Sequence, residues 1–127
     1  MTAVLDASTV LALINTETGW EVASNYLDDS VMSAVNLAEI VGKLRDIGVA
    51  PSSTRSIVDR LAVVVIPFDE TQAFLAGDLV ARTRSAGLSL GDRCGLALAK
   101  TLDATAVTAD RAWLEIDAGV EIAAIRP

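Results

Sequence analysis

Several residue types are absent or scarce in this sequence, and each absence narrows what the protein can do. Histidine does not occur among the 127 residues, which excludes imidazole base catalysis and histidine-ligated zinc. The one cysteine, Cys94, has no partner for an internal disulfide, which fits a reducing cytosol. Ten basic residues face 17 acidic ones, giving a net charge of −7. This balance argues against nucleic-acid binding through a broad basic face, although bound divalent ions would reverse the sign locally and leave a nuclease open.

Long hydrophobic runs are also missing. The longest, Leu61 to Phe68, falls far short of the roughly 20 residues that a membrane-spanning helix needs. Asp6 lies where a signal peptide would carry basic and then uninterrupted apolar residues. Hydrophobic residues nevertheless make up 52% of the chain, which is enough for an ordinary core. We expect a single soluble, cytoplasmic domain over residues 1–127, without membrane contact.

Short apolar runs alternate with segments of helical periodicity. Continuous rather than alternating hydrophobicity is typical of strands in a sheet that is covered on both faces. The alternation predicts a three-layer α/β/α sandwich around a central, mainly parallel sheet of four or five strands, joined by right-handed crossovers. The predicted strands are Ala3–Leu5, Val31–Met32, Val63–Ile66, Ala104–Val107 and Val120–Ala124.

Caps and breakers indicate where the helices begin and end. Gly48 is predicted to end the helix before it, and Ser52 or Ser53 to cap the next one. One long helix is predicted from Asp69 to Arg84. The segment Gly91–Lys100 is apolar almost all round, which indicates a buried helix.

Four acidic residues lie at positions that this fold would bring to one edge of the sheet. The carboxyl ends of parallel strands share an edge, and ligand sites of open α/β sheets lie beyond that edge. We therefore expect the four carboxylates to converge there. They are Asp6 at the end of the first strand, Glu39 in the first turn of the helix after the second strand, Asp92 at the start of the buried helix, and Asp110 after the fourth strand.

Each of these acids also has a purely structural interpretation. Asp6 and Asp110 suit the N-caps of the helices that follow them. Glu39 follows Asn36 by three residues, and Asp92 follows a serine by three, which is the spacing of a capping box. Taken alone, capping is the better account of Asp6 and Glu39 and a complete one of Asp110. For Asp92 the balance favours function slightly, because a nearly all-apolar helix has little reason to carry a charge.

A partly buried group of carboxylates favours a hard divalent cation. Without protons or a cation, gathering several such charges costs several kcal/mol. Oxygen-only ligands favour Mg²⁺ or Mn²⁺. One or two such ions can activate a water and stabilise the leaving oxygen of a phosphodiester. Arg93 and Arg111, each next to an acid, are candidates for holding substrate phosphates, and ordinary surface arginines are an equally good interpretation.

Four segments in this order resemble the PIN-domain ribonucleases, in particular the VapC-type toxins of bacterial toxin–antitoxin pairs. The resemblance spans essentially the whole chain. Gly95 departs from it, because a small helix-favouring residue is expected there; we expect Gly95 to allow close packing without touching the acidic set. The segments are VLDASTVLALI, SAVNLAEIV, GLSLGDRCGLALA and AVTADRAWLEI.

The resemblance implies a role for each matching residue. Ser8 and Thr108 match hydroxyl residues that support the cluster, and Asp117 corresponds loosely to a further acid of some relatives. It also implies metal-dependent endonucleolytic cleavage of RNA, homodimerisation, and inhibition by a cognate antitoxin. The implied catalytic and metal-ligating residues are Asp6, Glu39, Asp92 and Asp110.

Two other enzyme classes fit the sequence less well than a nuclease does. A haloacid-dehalogenase-type phosphotransferase needs a second aspartate where Ser8 stands, and a receiver domain needs a lysine at a place that neither Lys43 nor Lys100 occupies. The main alternative is a catalytically silent PIN-like binding module. Trp20 and Trp113 are expected in the core or at an antitoxin contact rather than stacked on bases. The apolar first helix is a candidate for the dimer or antitoxin surface through Val10, Leu11, Leu13 and Ile14.

Overall fold

The computed structural model describes residues 2–127. Strands and helices alternate along this range, as the hydrophobic pattern predicts. The strands are β1 (Ala3–Leu5), β2 (Ser30–Ser33), β3 (Val64–Ile66), β4 (Thr105–Thr108) and β5 (Ile122–Ala124). The helices are α1 (Ala7–Asn15), α2 (Trp20–Ser24), α3 (Ala34–Asp46), α4 (Pro51–Leu61), α5 (Glu70–Asp78), α6 (Val80–Thr83) and α7 (Leu90–Leu102), with short 3-10 turns at Leu27–Asp29, Arg84–Ala86 and Arg111–Glu115.

All five strands are parallel and lie in the order β3-β2-β1-β4-β5. Leu5 at the end of β1 pairs with Val107, one residue before the end of β4. The carboxyl ends of β1, β2 and β4 therefore lie side by side. We call this edge of the sheet the rim; the helices α1 and α3 leave from it, and α7 begins there before leading into β4.

The two faces of the sheet pack against different helices. Leu5 and Val107 belong to a core cluster with residues of α1 and α3, such as Val10 and Ile40. Val4 points to the other face and packs in a cluster with Leu96 and Leu98 of α7. The predicted three-layer α/β/α sandwich with a parallel sheet is thus confirmed. Within residues 2–127 no helix is long and apolar enough to cross a membrane.

The predicted boundaries on either side of the loop between α3 and α4 have different outcomes. The prediction that Ser52 or Ser53 caps α4 is wrong: Ala50 is the N-cap, because Pro51 occupies the first helical position, where its fixed φ suits a helix start. The prediction that Gly48 ends the preceding helix is confirmed: Gly48 has a φ of 89°, and the N–H groups of Gly48 and Val49 donate to the carbonyls of Arg45 and Leu44, as in a Schellman cap.

The prediction of one long helix from Asp69 to Arg84 is also wrong, because the helix is interrupted after Asp78. At the break, the Arg93 guanidinium of α7 donates to the Ala76 carbonyl at 2.9 Å. That carbonyl is the one a continuous helix would offer to Val80, so a contact from α7 competes with helix continuation. Arg93 is half-buried against α5, which makes it a structural residue rather than an open phosphate ligand.

The apolar residues of α1 contribute to the core, but Leu13 and Ile14 are only half-buried, so their role at a dimer or antitoxin surface remains a prediction. Val10 is fully buried and Leu11 is 8% exposed, and both pack in the cluster on the α1–α3 face of the sheet. Trp113 is likewise buried, as expected, whereas Trp20 is 39% exposed.

Three strands were predicted to begin earlier than they do in the structure. Val63, Ala104 and Val120 lie before the first residues of β3, β4 and β5.

Candidate functional site

Asp6 is buried at the rim, where β1 passes into α1. Its side chain is 4% exposed and is the N-cap of α1, accepting a hydrogen bond from the Thr9 N–H at 2.8 Å. The Ser8 hydroxyl lies 2.8 Å and 2.9 Å from the two carboxylate oxygens. The Thr108 hydroxyl, at the end of β4, donates to Oδ2 at 2.6 Å. The capping interpretation of Asp6 is therefore correct, but a cap alone does not require the two additional hydroxyl donors.

Burial dominates the electrostatics of Asp6. Removal from water raises the pKa of the Asp6 carboxyl above its usual value of 3.8, although hydrogen bonds from Thr108, Thr9 and Ser8 oppose that shift. The charged form is therefore less favourable than it would be in water, despite its donors. A positive charge beside Asp6 would stabilise the carboxylate.

The same two hydroxyls connect Asp6 to the chain that follows β4. Ser8 Oγ accepts the Ala109 N–H at 3.0 Å, and Thr108 Oγ1 accepts the Asp110 N–H at 3.0 Å. Asp110 itself is exposed and caps the following 3-10 turn through a bond from the Ala112 N–H. Ser8 and Thr108 thus hydrogen-bond to Asp6 and fix the direction of the backbone at Asp110, while their role in supporting a metal site remains a prediction.

Glu39 reaches the rim from the second turn of α3. The N-cap of α3 is Ser33, so the predicted capping box between Asn36 and Glu39 is wrong. The Asn36 side chain instead donates to Glu39 Oε1 at 2.8 Å and to the Gly91 carbonyl of α7 at 3.0 Å. The Glu39 carboxylate consequently lies over the first turn of α7, one residue from Asp92.

Asp92 is half-buried and forms the predicted capping box. The Asp92 N–H donates to Ser89 Oγ at 3.1 Å, and Asp92 Oδ2 accepts the Ser89 N–H at 2.9 Å. The carboxylate also lies in the first turn of α7, at the positive end of the helix dipole. One oxygen is thus occupied by the cap.

The contacts divide the acids into two halves of the rim. On the strand half, Ser8 and Thr108 link Asp6 to the backbone of Asp110; on the helix half, Asn36 brings Glu39 beside Gly91 and Asp92. Among the described residues no group of three or more acidic or cysteine side chains lies close enough to hold a metal ion. The convergence of all four acids on one ion remains a prediction.

Asp117 lies apart from both halves. Its carboxylate accepts the Gly119 N–H at 3.1 Å, and its carbonyl accepts a bond from Arg82 at 3.4 Å. These contacts belong to the loop between the last 3-10 turn and β5. No recorded contact within residues 2–127 connects Asp117 to Asp6 or Glu39, so its supporting role also remains a prediction.

The donor chemistry of the rim fits a hard divalent cation. Its four candidate ligands are all carboxylates, two hydroxyls hydrogen-bond to Asp6, and the chain contains no histidine. Cys94 is buried in α7, and burial raises the pKa of its thiol, with Arg93 lowering it and Glu39 raising it. The thiol is therefore neutral and a poor ligand.

Sequence reasoning missed the residues that place Glu39. Asn36 was noticed, but only as a possible capping partner, and Gly91 was not singled out. Gly95 was expected not to touch the acidic set; a Cβ there would lie 3.1 Å from Asn36 Oδ1, so it borders the residue that holds Glu39. The spacing of Asn36 and Glu39 was the available signal, since residues three apart share a helix face.

The fold and the rim define a class of protein: a small parallel α/β domain whose candidate chemistry is carried by carboxylates. The sequence matches the PIN domain family over residues 3–119, from β1 to the loop before β5. The chain therefore belongs to the PIN domain family. PIN domains are typically nucleases and generally use divalent metal ions.

Solved structures with this fold include several toxin–antitoxin complexes. One is DNA-bound VapBC from Salmonella typhimurium, with a TM-score of 0.77 and 20% identity, covering 98% of both chains. VapBC2 from Rickettsia felis, bound to a promoter DNA fragment, gives 0.75 and 17%, covering 97% of this chain and 98% of that one. VapBC-1 from nontypeable Haemophilus influenzae gives 0.69 and 18%, covering 98% of both. No curated protein matches the sequence. At these identities the likeness concerns the fold.

Proposed function

We propose that this chain is a Mg²⁺- or Mn²⁺-dependent endoribonuclease that acts as the toxin of a toxin–antitoxin pair. The observation that carries the proposal is the buried Asp6 carboxyl, which is contacted by three hydrogen-bond donors (Ser8, Thr9 and Thr108) and whose pKa is nevertheless raised by burial. A site organised in this way suits a cation that compensates the charge. The metal-ligating and catalytic residues would be Asp6, Glu39, Asp92 and Asp110.

The protein's own residues would act by holding groups in place. Ser8, Thr9 and Thr108 fix both oxygens of Asp6, and the cap at Ser89 fixes Asp92. A bound divalent ion supplies an activated water and stabilises charge on the phosphoryl oxygens. Because the chain contains no histidine, a carboxylate of the rim would be the candidate acceptor for the proton of an attacking water, which would then pass to solvent.

A cognate antitoxin and a second copy of the chain are the proposed protein partners. Two solved structures that share the fold support the antitoxin: one from Klebsiella pneumoniae is described as a toxin–antitoxin complex, and VapBC-5 from Mycobacterium tuberculosis as a member of a family of toxin–antitoxin systems. A net charge of −7 and a rim of carboxylates favour a basic antitoxin segment. The homodimer rests on the family resemblance alone.

Cleavage of structured RNA by purified, antitoxin-free protein tests the enzymatic proposal. We expect cleavage with Mg²⁺ or Mn²⁺ that EDTA stops, and its loss in Asp6→Asn and Asp92→Asn variants that still unfold cooperatively. The variants, purified identically, control for contaminating ribonucleases. Undiminished cleavage in both variants would refute the assignment of the site.

A catalytically silent PIN-like binding module is the second candidate. It is favoured by the absence of a group of three acids within metal-binding distance among residues 2–127. Such a module would bind no Mn²⁺ in calorimetry and would leave RNA intact with either ion. Both the nuclease and the silent module could bind an antitoxin when Asp6 is replaced by Asn, so antitoxin binding does not distinguish them. The Mn²⁺ titration does.

A further inference from the structure

Asn36 is a buried amide whose side chain joins α3 to α7. It is 1% exposed, and its Nδ2 group has two acceptors: Glu39 Oε1 at 2.8 Å and the Gly91 carbonyl at 3.0 Å. An amide nitrogen carries two hydrogens, so both are used. We propose that Asn36 is a positioning residue that clamps Glu39 onto the first turn of α7. This inference rests on the proposed function, in which Glu39 is a metal ligand.

The orientation of the Asn36 amide follows from its partners. If the amide were flipped, its oxygen would face a carboxylate and a carbonyl, which are both acceptors. The observed orientation leaves Oδ1 buried without a hydrogen-bond partner. An unpaired buried oxygen is unfavourable. Asn36 thus tolerates an unsatisfied atom while both of its hydrogens bind Glu39 and α7, which is unusual for a residue that only fills the core.

Two glycines of α7 provide the space for this arrangement. A Cβ at Gly91 would lie 2.6 Å from Glu39 Cδ and 2.7 Å from Oε2, so the carboxylate occupies the volume of the missing side chain. A Cβ at Gly95 would lie 3.1 Å from Asn36 Oδ1. Neither glycine has a positive φ, so the helix itself would accept alanine. Space for Glu39 and Asn36, rather than backbone conformation, accounts for both glycines.

The clamp leaves one oxygen of Glu39 available. Within residues 2–127 the carboxylate accepts a single hydrogen bond, from Asn36 to Oε1. Both oxygens lie over Gly91, the residue before Asp92, and Oε2 has no recorded hydrogen bond within residues 2–127. Fixing one oxygen by an amide donor orients the other toward an ion, and this is how supporting partners usually tune metal ligands. Glu39 would otherwise be a flexible, half-buried side chain.

Calorimetric titration of metal-free protein with Mn²⁺ tests the clamp. We expect Gly91→Ala to weaken Mn²⁺ binding about 10–100-fold, the range typical of disturbed supporting contacts, while the protein remains folded with little change in melting temperature. The change is expected to be small because the preference of a helix for alanine over glycine opposes the loss of the Asn36–Glu39 hydrogen bond. Gly42→Ala is the matched control, since it lies in α3 and a Cβ there meets nothing within 4 Å. It should stabilise the protein without changing Mn²⁺ affinity.

A second variant removes the donor rather than the space. Asn36→Leu has nearly the same shape but no hydrogen to donate, and it should weaken Mn²⁺ binding to a similar degree. If this variant fails to fold, Gly91→Ala still decides. Wild-type Mn²⁺ affinity in Gly91→Ala, with normal affinity in Gly42→Ala, would overturn the clamp.

Amide NMR of the metal-free protein separates failure of the clamp from failure of the proposed function. We expect the two Asn36 side-chain protons to exchange slowly with water and to shift in Gly91→Ala but not in Gly42→Ala. If wild-type protein binds no Mn²⁺ while this pattern holds, the nuclease proposal fails and the contact between Asn36 and Glu39 stands. Rapid exchange of both protons in wild type would contradict the clamp itself.

Discussion

Asp6, on the strand half of the rim, is held in place by several hydrogen-bond donors. Glu39, on the helix half, is held by one amide donor in the space that a glycine leaves free. Around Asp6, two hydroxyls and a backbone N–H contact a carboxylate that is 4% exposed. Around Glu39, one amide donates and a glycine leaves room. The strand half should therefore fail when atoms are removed, and the helix half when atoms are added.

The largest expected effect comes from neutralising an acid in either half. Asp6→Asn and Glu39→Gln should each reduce RNA cleavage by more than the roughly 10–100-fold that follows loss of a supporting contact. The reason is that each removes a charge that the ion requires. Single-turnover rates at saturating Mn²⁺ measure this loss. If only Asp6→Asn is impaired, the helix half is not part of the site.

Thr108→Val is the next test, because it removes atoms from the strand half. It deletes the 2.6 Å bond to Asp6 and the acceptor of the Asp110 N–H, with little change of shape. We expect a loss of about 1–3 kcal/mol in unfolding free energy and about 10–100-fold lower cleavage. Chemical denaturation and cleavage rates give the two values. Ser52→Ala, on exposed α4 away from the rim, is the control and should change neither.

A difference in pH dependence should distinguish Asp6 from the other acids. Because the folded pKa of Asp6 is raised above 3.8, the folded state holds a proton that the unfolded state has lost, and metal-free stability falls as pH rises through that interval. One such proton contributes at most about 1.4 kcal/mol per pH unit. Asp6→Asn should remove this contribution.

Denaturant unfolding in EDTA between about pH 4 and pH 7 measures that slope. The wild-type curve should fall more steeply with pH than that of Asp6→Asn, and added Mn²⁺ should reduce the difference. Parallel curves for the two proteins would show that Asp6 titrates normally and is not strained by burial.

Ser89→Ala should give the smallest effect, because it disturbs only the cap that fixes Asp92. Loss of an N-cap hydroxyl costs about 1 kcal/mol of stability. Asp92 keeps its charge and its place at the helix end, so cleavage should fall only several-fold. Thermal unfolding and cleavage rates measure both. A loss as large as that of Asp6→Asn would mean that the cap is essential to the site.

The sequence predicted the strand half well because its signals are local. Continuous apolar runs mark β1 and β4, and Asp6 follows from its position at the end of β1, whereas Ser8 and Thr108 were predicted from the family resemblance. The prediction of N-terminal capping was also correct for Asp6, Asp92 and Asp110. One carboxylate can therefore both cap the beginning of a helix and lie at the rim. The capping interpretation and the functional interpretation of these acids therefore do not exclude each other.

The helix half could not be predicted because its determinants join distant parts of the chain. Asn36 and Gly91 are 55 residues apart, and the spacing of Asn36 and Glu39 fits a capping box equally well. The break after α5 has the same origin, since Arg93 contacts the Ala76 carbonyl from another helix. Helical periodicity within Asp69–Arg84 carries no sign of that contact.

Titration of metal-free wild-type protein and of Asp6→Asn with Mn²⁺ in a calorimeter tests the central claim most directly. If a carboxylate rim holds a divalent ion, the wild type should show a saturable binding heat, and Asp6→Asn should lose it while remaining folded. Equal heats in the two proteins, or no heat in the wild type, would contradict a metal-dependent nuclease site at Asp6.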